Sequence, residues 1–312
     1  MRERLGTGVL VALGVIYVVW GSTYLAIKIG LDAFPPFLMA GLRFAVAGVV
    51  LYAWAWVRRP AGEPRPGARQ WLAATIAGGL LLVGGNGAVT WAEQDIDSGL
   101  AALLVASVPL WMALLERLRF GTHLPRVAVA GLLLGFVGVG VLVRPGSADL
   151  FPSIVVVLGA LAWATGSLYS RGAPLPKRPL LSTAMQMLAG SALFLVMSAA
   201  SGEFARFDPT ALTREAVAAV AYLAVFGSIV AFTAYTWLLR ATPSSIVATY
   251  AYVNPVVAVL LGWAVRDERL TLRTGAAAAI VVASVALIVT ARARSRAAPA
   301  VAPEAAVEPA RA

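Results

Sequence analysis

The chain has 312 residues, of which 60% are hydrophobic and 13% are charged, and its mean hydropathy is +0.82. An ordinary soluble domain carries about 25% charged residues, so this composition excludes a soluble globular protein. The formal net charge of +10 does not indicate nucleic-acid binding, because the basic residues stand singly or in small groups between apolar runs. The absence of cysteine excludes disulfides, thiolate metal sites and cysteine catalysis.

Ten apolar runs follow one another along the chain, and most are about as long as a helix that crosses a bilayer's hydrocarbon core. They cover residues 6–28, 36–57, 70–92, 98–115, 126–143, 152–170, 180–200, 215–239, 244–264 and 273–291. The first run is too long for a signal peptide and has no small-residue cleavage site, so it is predicted to be a spanning helix. The sequence therefore predicts an all-α integral membrane protein with ten transmembrane helices. Residues 292–312 have nothing to bury and are predicted to form a disordered cytoplasmic tail.

The two halves of the chain are copies of each other. The stretch 90–109 matches the stretch 236–255 without a gap, with Thr-Trp at the start and Pro at the end of each. We therefore predict two five-helix repeats, residues 6–143 and 152–291. Because five is odd, the second repeat enters the membrane from the opposite face and is inverted, which is typical of secondary transporters.

The distribution of basic residues predicts the orientation. With the N-terminus inside, seventeen of the 25 Lys and Arg residues fall in cytoplasmic segments and seven fall outside. Arg43 alone falls within a span. This bias predicts that both termini are cytoplasmic.

Pro109 and Pro255 fall near the middle of the fourth and ninth predicted helices. Each lacks a backbone N–H and frees a carbonyl in the preceding turn, which must face protein, a cavity or water. We interpret the pair as hinges beside a substrate path. The alternative is that both prolines are simply tolerated in spanning helices.

Polar side chains beside aromatic rings predict a cavity for a small amphipathic solute. The candidate substrate-binding residues are Trp20, Ser22, Tyr24, Arg43, Asn86, Trp91, Trp163, Ser167, Tyr169, Gln186, Tyr235, Trp237, Tyr250 and Asn254. The alternatives are an aromatic belt or interfacial anchors for the rings, and helix packing for the small residues.

A charge inside a span indicates a functional site, and Arg43 is the candidate. It is expected either to meet a substrate carboxylate or to be a structural arginine paired with carbonyls or with Glu93. No carboxylate is predicted near mid-membrane, which disfavours a carrier of organic cations. Glu93, at a helix end, is the acid that remains for proton coupling.

The fifth and tenth predicted helices are rich in small residues, with a G-x-x-x-G pattern at Gly131 and Gly135. Such faces allow close packing within one chain or across a homodimer. The spans contain no nucleophile and base pair and no cluster of metal ligands. We therefore expect no enzymatic activity, no metal and no cofactor.

The chain resembles the EamA-type permeases of the drug/metabolite transporter superfamily. The resemblance rests on WGSTYLAIKIGLDAFPPFLMAGLRFAVAG at 20–48, SVPLW at 107–111, Asn-Pro at 254–255 and the short basic loops that follow. It implies a ten-helix inner-membrane carrier that moves, usually exports, amino acids, related metabolites or amphipathic compounds. The Gly-Glu usual after helices four and nine is Gly-Thr at 121–122 and Asp-Glu at 267–268, so the first copy departs from the pattern.

The sequence as a whole favours a secondary transporter that exports small metabolites such as amino acids by alternating access. Its expected partners are a small-molecule substrate and the lipid bilayer. A drug or organic-cation exporter is one alternative. A membrane scaffold or receptor that transports nothing is the other.

Overall fold

The computed structural model describes residues 6–121, 125–142, 149–242, 244–247, 249–269 and 271–297. Most of these residues are helical, and no strand occurs among them. The main helices are α1 (Thr7–Gly30), α2 (Pro36–Val57), α3 (Ala68–Ala92), α4 (Ser98–Phe120), α5 (Arg126–Leu142), α6 (Leu150–Gly172), α7 (Pro179–Ala200), α8 (Arg214–Ala241), α9 (Ser244–Val247 and Tyr250–Arg266) and α10 (Leu272–Ala297).

The helices agree with the predicted apolar runs to within about six residues at either end. The largest difference is at the C-terminus, where α10 continues to Ala297 instead of giving way to a tail at 292. Residues 291–297 are only Ala, Arg and Ser, and the alanines and arginines are strong helix formers, so the helix outlasts its apolar part. The rest of the predicted tail, 298–312, lies outside the described residues.

Seven helices in the described part of the chain are long and apolar enough to cross a membrane, namely α1, α2, α3, α4, α6, α7 and α8. Three shorter apolar helices are Arg126–Val141, Val253–Arg266 and Leu272–Ile288. The ninth helix falls in the shorter group, and its two described segments are Ser244–Val247 and Tyr250–Arg266. The architecture is therefore all-helical, with several helices of membrane-spanning length and composition.

The helices pack in a pattern that relates the two halves. α2 runs along α7, and α5 runs along α10. α1 packs against α8 and α9, while α6 packs against α3 and α4. The neighbours of α1 in the second half thus correspond to the neighbours of α6 in the first half.

The glycine-rich face of α5 is used within the chain. A Cβ added at Gly131 would lie 2.9 Å from the carbonyl oxygen of Ser284, and one at Gly135 would lie 2.7 Å from its Oγ. Gly138 lies equally close to Ile280 and Val281. Because α10 of the same chain occupies this face, these glycines serve packing within one chain, which is one of the two roles considered from the sequence; a homodimer stays a prediction.

Four helices are irregular near the centre of the bundle. α3 contains a π-helical segment, Gly79–Gly87, and α8 contains another, Leu223–Val230. α4 is interrupted between its segments Ser98–Val105 and Val108–Phe120, directly before Pro109. In α9, however, Pro255 lies inside the second segment and not at the interruption. π-helical segments such as those in α3 and α8 often mark functional sites.

Candidate substrate-binding site

A small cavity lies at the centre of the bundle, where α1, α2, α3, α4, α6, α8 and α9 meet. Its volume is about 60 Å³, which holds a few water molecules. The lining residues are Trp20, Thr23, Tyr24, Ile27, Arg43, Phe44, Leu82, Gly85, Asn86, Val89, Val105, Val108, Gly159, Ala160, Trp163, Gly227, Phe232, Tyr250 and Asn254. Ligand pockets are usually several hundred Å³, roughly 300–1,000, so this cavity must expand to take a metabolite.

Six aromatic rings contribute to the wall, and Trp20 contacts several of them. Its ring lies 4.9 Å from Tyr235, 5.4 Å from Tyr250 and 5.6 Å from Trp163, measured between ring centroids. Its indole Nε1 donates a 3.2 Å hydrogen bond to the carbonyl of Gly227, within the π-helical segment of α8. The irregular turn therefore supplies the acceptor that holds Trp20 in place.

Arg43 brings a positive charge to this wall. Its side chain is buried, with only 3% of the residue exposed, and its guanidinium carbon lies 4.3 Å from the centroid of the Phe44 ring. Neither Nε nor Nη1 has a hydrogen-bond partner among the described residues. Leaving buried charged donors unpaired is costly, so the arrangement suits an anionic group that enters the cavity.

Glu93 caps the C-terminal end of α3 and is fully buried. Neither of its carboxylate oxygens has a partner in the described part of the chain, although the carboxylate and Arg43 attract each other electrostatically. Lys28 donates from Nζ to the Glu93 carbonyl at 2.6 Å and to the Ile96 carbonyl at 2.9 Å. Lys28 thus ties α1 to the end of α3.

Two amides provide neutral polar groups. Thr90 Oγ1 donates to the backbone carbonyl of Asn86 at 3.0 Å and, at 3.4 Å, to its side-chain Oδ1. Asn254, in the amide orientation that its surroundings require, donates to the carbonyls of Tyr17 at 3.1 Å and Tyr250 at 3.2 Å. The Asn254 nitrogen is therefore used to join α9 to α1, and its oxygen is the part of the amide available to the cavity.

Seven of the candidate residues line the central cavity together: Trp20, Tyr24, Arg43, Asn86, Trp163, Tyr250 and Asn254. The structure places the other candidates elsewhere. Ser22 bonds the Tyr222 hydroxyl at 2.6 Å on the outer side of α1. Trp91 packs edge-on against Phe151, Trp237 is 38% exposed, and Tyr169 is half-buried near the end of α6. Pro109 and Pro255 are buried and do not line the cavity.

Two glycines, Gly85 and Gly159, are among the cavity residues that were not predicted from the sequence. A Cβ at Gly85 would lie 2.7 Å from the Trp163 ring, and one at Gly159 would lie 2.5 Å from the Ala88 Cβ. The two glycines therefore let α3 and α6 cross closely enough for backbone to form part of the wall. The signal in the sequence was a glycine cluster inside an otherwise regular apolar run.

A polar layer closes the cavity toward the loops 58–67 and 173–178. The Tyr235 hydroxyl accepts from Trp163 Nε1 at 3.2 Å and bonds Ser167 Oγ at 2.8 Å. Both Tyr235 and Ser167 are almost completely buried. Both residues were predicted from the sequence to bind substrate. In the structure they form a barrier between the cavity and these loops and do not line the cavity.

A second, larger cavity lies beyond this layer, and we call it the vestibule. Its volume is about 500 Å³. It is lined by Leu81, Ser170, Arg171, Ala173, Leu175, Pro176, Lys177, Ser182, Gln186, Thr236, Leu239 and Arg240. The candidate residue Gln186 therefore belongs to the vestibule. We call this end of the bundle the vestibule end.

The opposite end is held by carboxylates on helix N-termini, and we call it the carboxylate end. Glu203 accepts from the backbone N–H groups of Phe37 at 3.2 Å and Leu38 at 2.7 Å, at the start of α2. Glu268 accepts from Ser98 at 2.9 Å and Gly99 at 3.1 Å, at the start of α4. A carboxylate stabilises these unpaired N–H groups and the positive end of the helix dipole.

Groups of three or more His, Cys, Asp or Glu residues placed to hold a metal ion do not occur in the described ranges. The polar groups at the two cavities are three guanidinium groups, an ammonium, amides and hydroxyls. Their chemistry is that of reversible hydrogen bonding and charge pairing with a solute.

Comparison with known proteins gives a consistent result. The profile of the EamA-like transporter family matches residues 6–144 and 150–290. The uncharacterized inner membrane transporter YedA of Escherichia coli strain K12 is 38% identical over 306 residues, covering 97% of each chain. The uncharacterized transporter YoaV of Bacillus subtilis strain 168 is 24% identical over 85% of this chain and 91% of its own. A solved crystal structure with 23% identity aligns over 92% of this chain and 99% of its own, with a TM-score of 0.65, which shows the fold alone.

Proposed function

The chain belongs to the EamA-like transporter family, and from this premise we propose that it is an inner-membrane secondary transporter that exports small carboxylate-bearing metabolites, amino acids above all. The relative YedA, similar over almost its whole length, carries the words inner membrane transporter in its name. We propose no enzymatic activity and no cofactor, since reversible binding is what the cavity residues offer.

We infer the class of substrate from Arg43, which is buried and, within the described part of the chain, lacks hydrogen-bond partners for two of its nitrogens. A buried guanidinium with two unpaired nitrogens lines a cavity to which no carboxylate contributes, among the described residues. A planar guanidinium matches a carboxylate with two parallel hydrogen bonds. The cavity therefore favours amino acids over organic cations.

The rest of the wall supports the same class of solute. Trp20, Trp163 and Phe232 supply apolar surface, while Asn86 and Asn254 supply amide oxygens that can accept from an ammonium group. A small zwitterion with an apolar side chain uses all three kinds of contact. Lipid-like or purely apolar solutes would leave Arg43 unpaired.

The proposed mechanism is alternating access between two inverted five-helix repeats, residues 6–143 and 152–291, with both termini in the cytoplasm. The exchanged packing of α1 and α6 supports this symmetry. We propose Pro109 as one hinge, because it follows the interruption of α4. Pro255, six residues past the interruption of α9, is proposed as its partner through the freed carbonyl before it.

Arg43→Gln tests the substrate assignment. In proteoliposomes, the variant should exchange labelled L-phenylalanine with a KM about ten to a hundredfold higher, because charge-assisted hydrogen bonds contribute about 1.5–3 kcal/mol. Exchange of phenylalanine amide, which has no carboxylate, should change little. The exposed Arg119→Gln is the matched control.

Two results would contradict the proposal. Equal losses for the acid and the amide would make Arg43 a structural arginine. Failure of the wild-type protein to exchange any member of an amino-acid panel would remove amino acids as substrates altogether.

A further inference from the structure

The vestibule is built differently from an ordinary surface groove. It reaches from the loop at 173–178 to Leu81, about thirteen residues along α3 from Ala68 and so roughly 20 Å from that helix end. Its volume of about 500 Å³ accommodates a complete amino acid, unlike the central cavity of about 60 Å³. The vestibule is therefore the larger of the two spaces along the proposed substrate path.

Three basic residues surround its mouth, and no acidic residue of the described chain lines it. Arg240 donates to the carbonyls of Lys177 at 2.7 Å and Pro176 at 3.3 Å, which holds the rim in place. Arg171 lies 3.8 Å from Glu116, which belongs to α4 and is outside the lining. The mouth consequently carries a concentrated positive potential that attracts anionic groups.

The floor of the vestibule is polar and neutral. Gln186, only 2% exposed, donates from Nε2 to Ser182 Oγ at 3.1 Å, and its Oε1 has no partner among the described residues. Beside it, the hydroxyls of Thr183 and Thr236 bond each other at 2.8 Å. An unpaired buried amide oxygen requires a hydrogen-bond donor, which an ammonium group supplies.

We propose that the vestibule is a second binding site for an amino acid, with the carboxylate at Lys177 and Arg240 and the ammonium group toward Gln186. This inference rests on the proposed function, because the ligand is the transported metabolite. The site lies on the vestibule side of the Tyr235 barrier, so only this layer of side chains separates a substrate bound there from the central cavity. The basic rim and the acceptor Gln186 line the same space, so both charged groups of a zwitterion can find partners within it.

The binding test uses Arg43→Gln protein, so that the central contact is absent, in phosphatidylcholine nanodiscs titrated with L-phenylalanine. Lys177→Glu should weaken the remaining salt-sensitive binding about tenfold, because it reverses a charge at the rim. The control is Arg69→Glu, an exposed charge reversal at the start of α3 that lies outside the lining. Unchanged affinity in the Lys177→Glu protein would overturn the proposal.

An anionic lipid headgroup has similar chemistry, so the titration is repeated with phosphatidylglycerol in the disc. Binding that stays independent of this lipid supports an amino-acid site. If phosphatidylglycerol displaces L-phenylalanine and Lys177→Glu abolishes that effect, the vestibule is a lipid site and the proposal is overturned.

Transport separates this inference from the proposed function. With Arg43 intact, Lys177→Glu should raise KM from the vestibule side about tenfold and leave kcat unchanged. A normal KM in this variant would overturn the vestibule site while transport itself stands. If the wild-type protein does not transport but retains Lys177-dependent binding, the proposed function fails and the vestibule site remains.

Discussion

The two ends of the bundle are closed by different chemistry. At the carboxylate end, Glu203 and Glu268 each bond two backbone N–H groups, and Arg266 bonds Asp32 at 2.8 Å. At the vestibule end, the barrier is a neutral network around the Tyr235 hydroxyl, and the space beyond it is open and basic.

This difference indicates which end opens more readily. Charge-assisted hydrogen bonds are roughly twice as strong as neutral ones, and each glutamate links a segment of the second half to a helix of the first. The carboxylate end therefore holds the halves together. The vestibule end separates the central cavity from the vestibule by one layer of side chains, so a small rearrangement there connects the two spaces.

The largest expected effect comes from locking the carboxylate end. Asp32 of the first half and Arg266 of the second bond each other at 2.8 Å across this end, so Asp32→Cys and Arg266→Cys can be joined by a short cleavable thiol cross-linker. Cross-linking should abolish transport, and a reducing agent that cleaves the linker should restore it, because alternating access requires this end to open. The chain has no other cysteine to interfere. The two single variants are the controls, and transport that survives complete cross-linking would refute movement at this end.

Loss of one glutamate cap should have a smaller effect, on stability. Glu203→Gln removes a buried charge that accepts two N–H groups at the start of α2, so we expect a loss of about 1–3 kcal/mol. Chemical denaturation in detergent measures it. Glu215→Gln, exposed in the first turn of α8, is the matched control. Equal losses of stability in the two proteins would show that the Glu203 carboxylate does not stabilise the start of α2.

Removing one hydroxyl should loosen the barrier at the vestibule end. Tyr235→Phe loses the bonds to Trp163 and Ser167, so a cysteine introduced at Asn86 should react several-fold faster with a thiol reagent supplied from that end. The expected change is modest because neutral hydrogen bonds contribute about 0.5–1.5 kcal/mol. Tyr169→Phe provides the comparison, and identical labelling rates would mean that the Tyr235 hydroxyl does not close the cavity.

The smallest expected effect is on the pH dependence of stability, through Asp97 at the carboxylate end. Partial burial raises the pKa of Asp97, and the neighbouring Glu268 carboxylate raises it further. A raised carboxyl pKa means that the folded protein binds more protons than the unfolded one, so stability falls as pH rises through this range. Asp97→Asn should therefore raise Tm slightly at neutral pH and leave it unchanged in acid. Asp95→Asn, exposed on the same loop, should do neither, and a pH-independent effect of Asp97→Asn would contradict the explanation.

Much of the fold was predictable because it depends on local pattern. Each apolar run became a helix, since a long apolar segment in a membrane satisfies its backbone only internally. Trp20, Arg43 and Asn254 were identifiable as cavity residues because polar groups and large rings are conspicuous among Val, Leu and Ala. Trp91 and Trp237 are equally conspicuous, yet their helices turn them away from the central cavity.

The sequence by itself determined which stretches of the described chain form apolar helices, to within about six residues, and that Arg43 lies inside one of them. These features follow from composition and spacing over one or two turns. Only the tertiary structure decided that Gly85 and Gly159 bring α3 and α6 together, that Glu268 caps a helix 170 residues away in sequence, and that Lys177 and Gln186 share one vestibule. The physical reason is that helix packing sets which faces meet, and those contacts join residues too far apart for any local pattern to record.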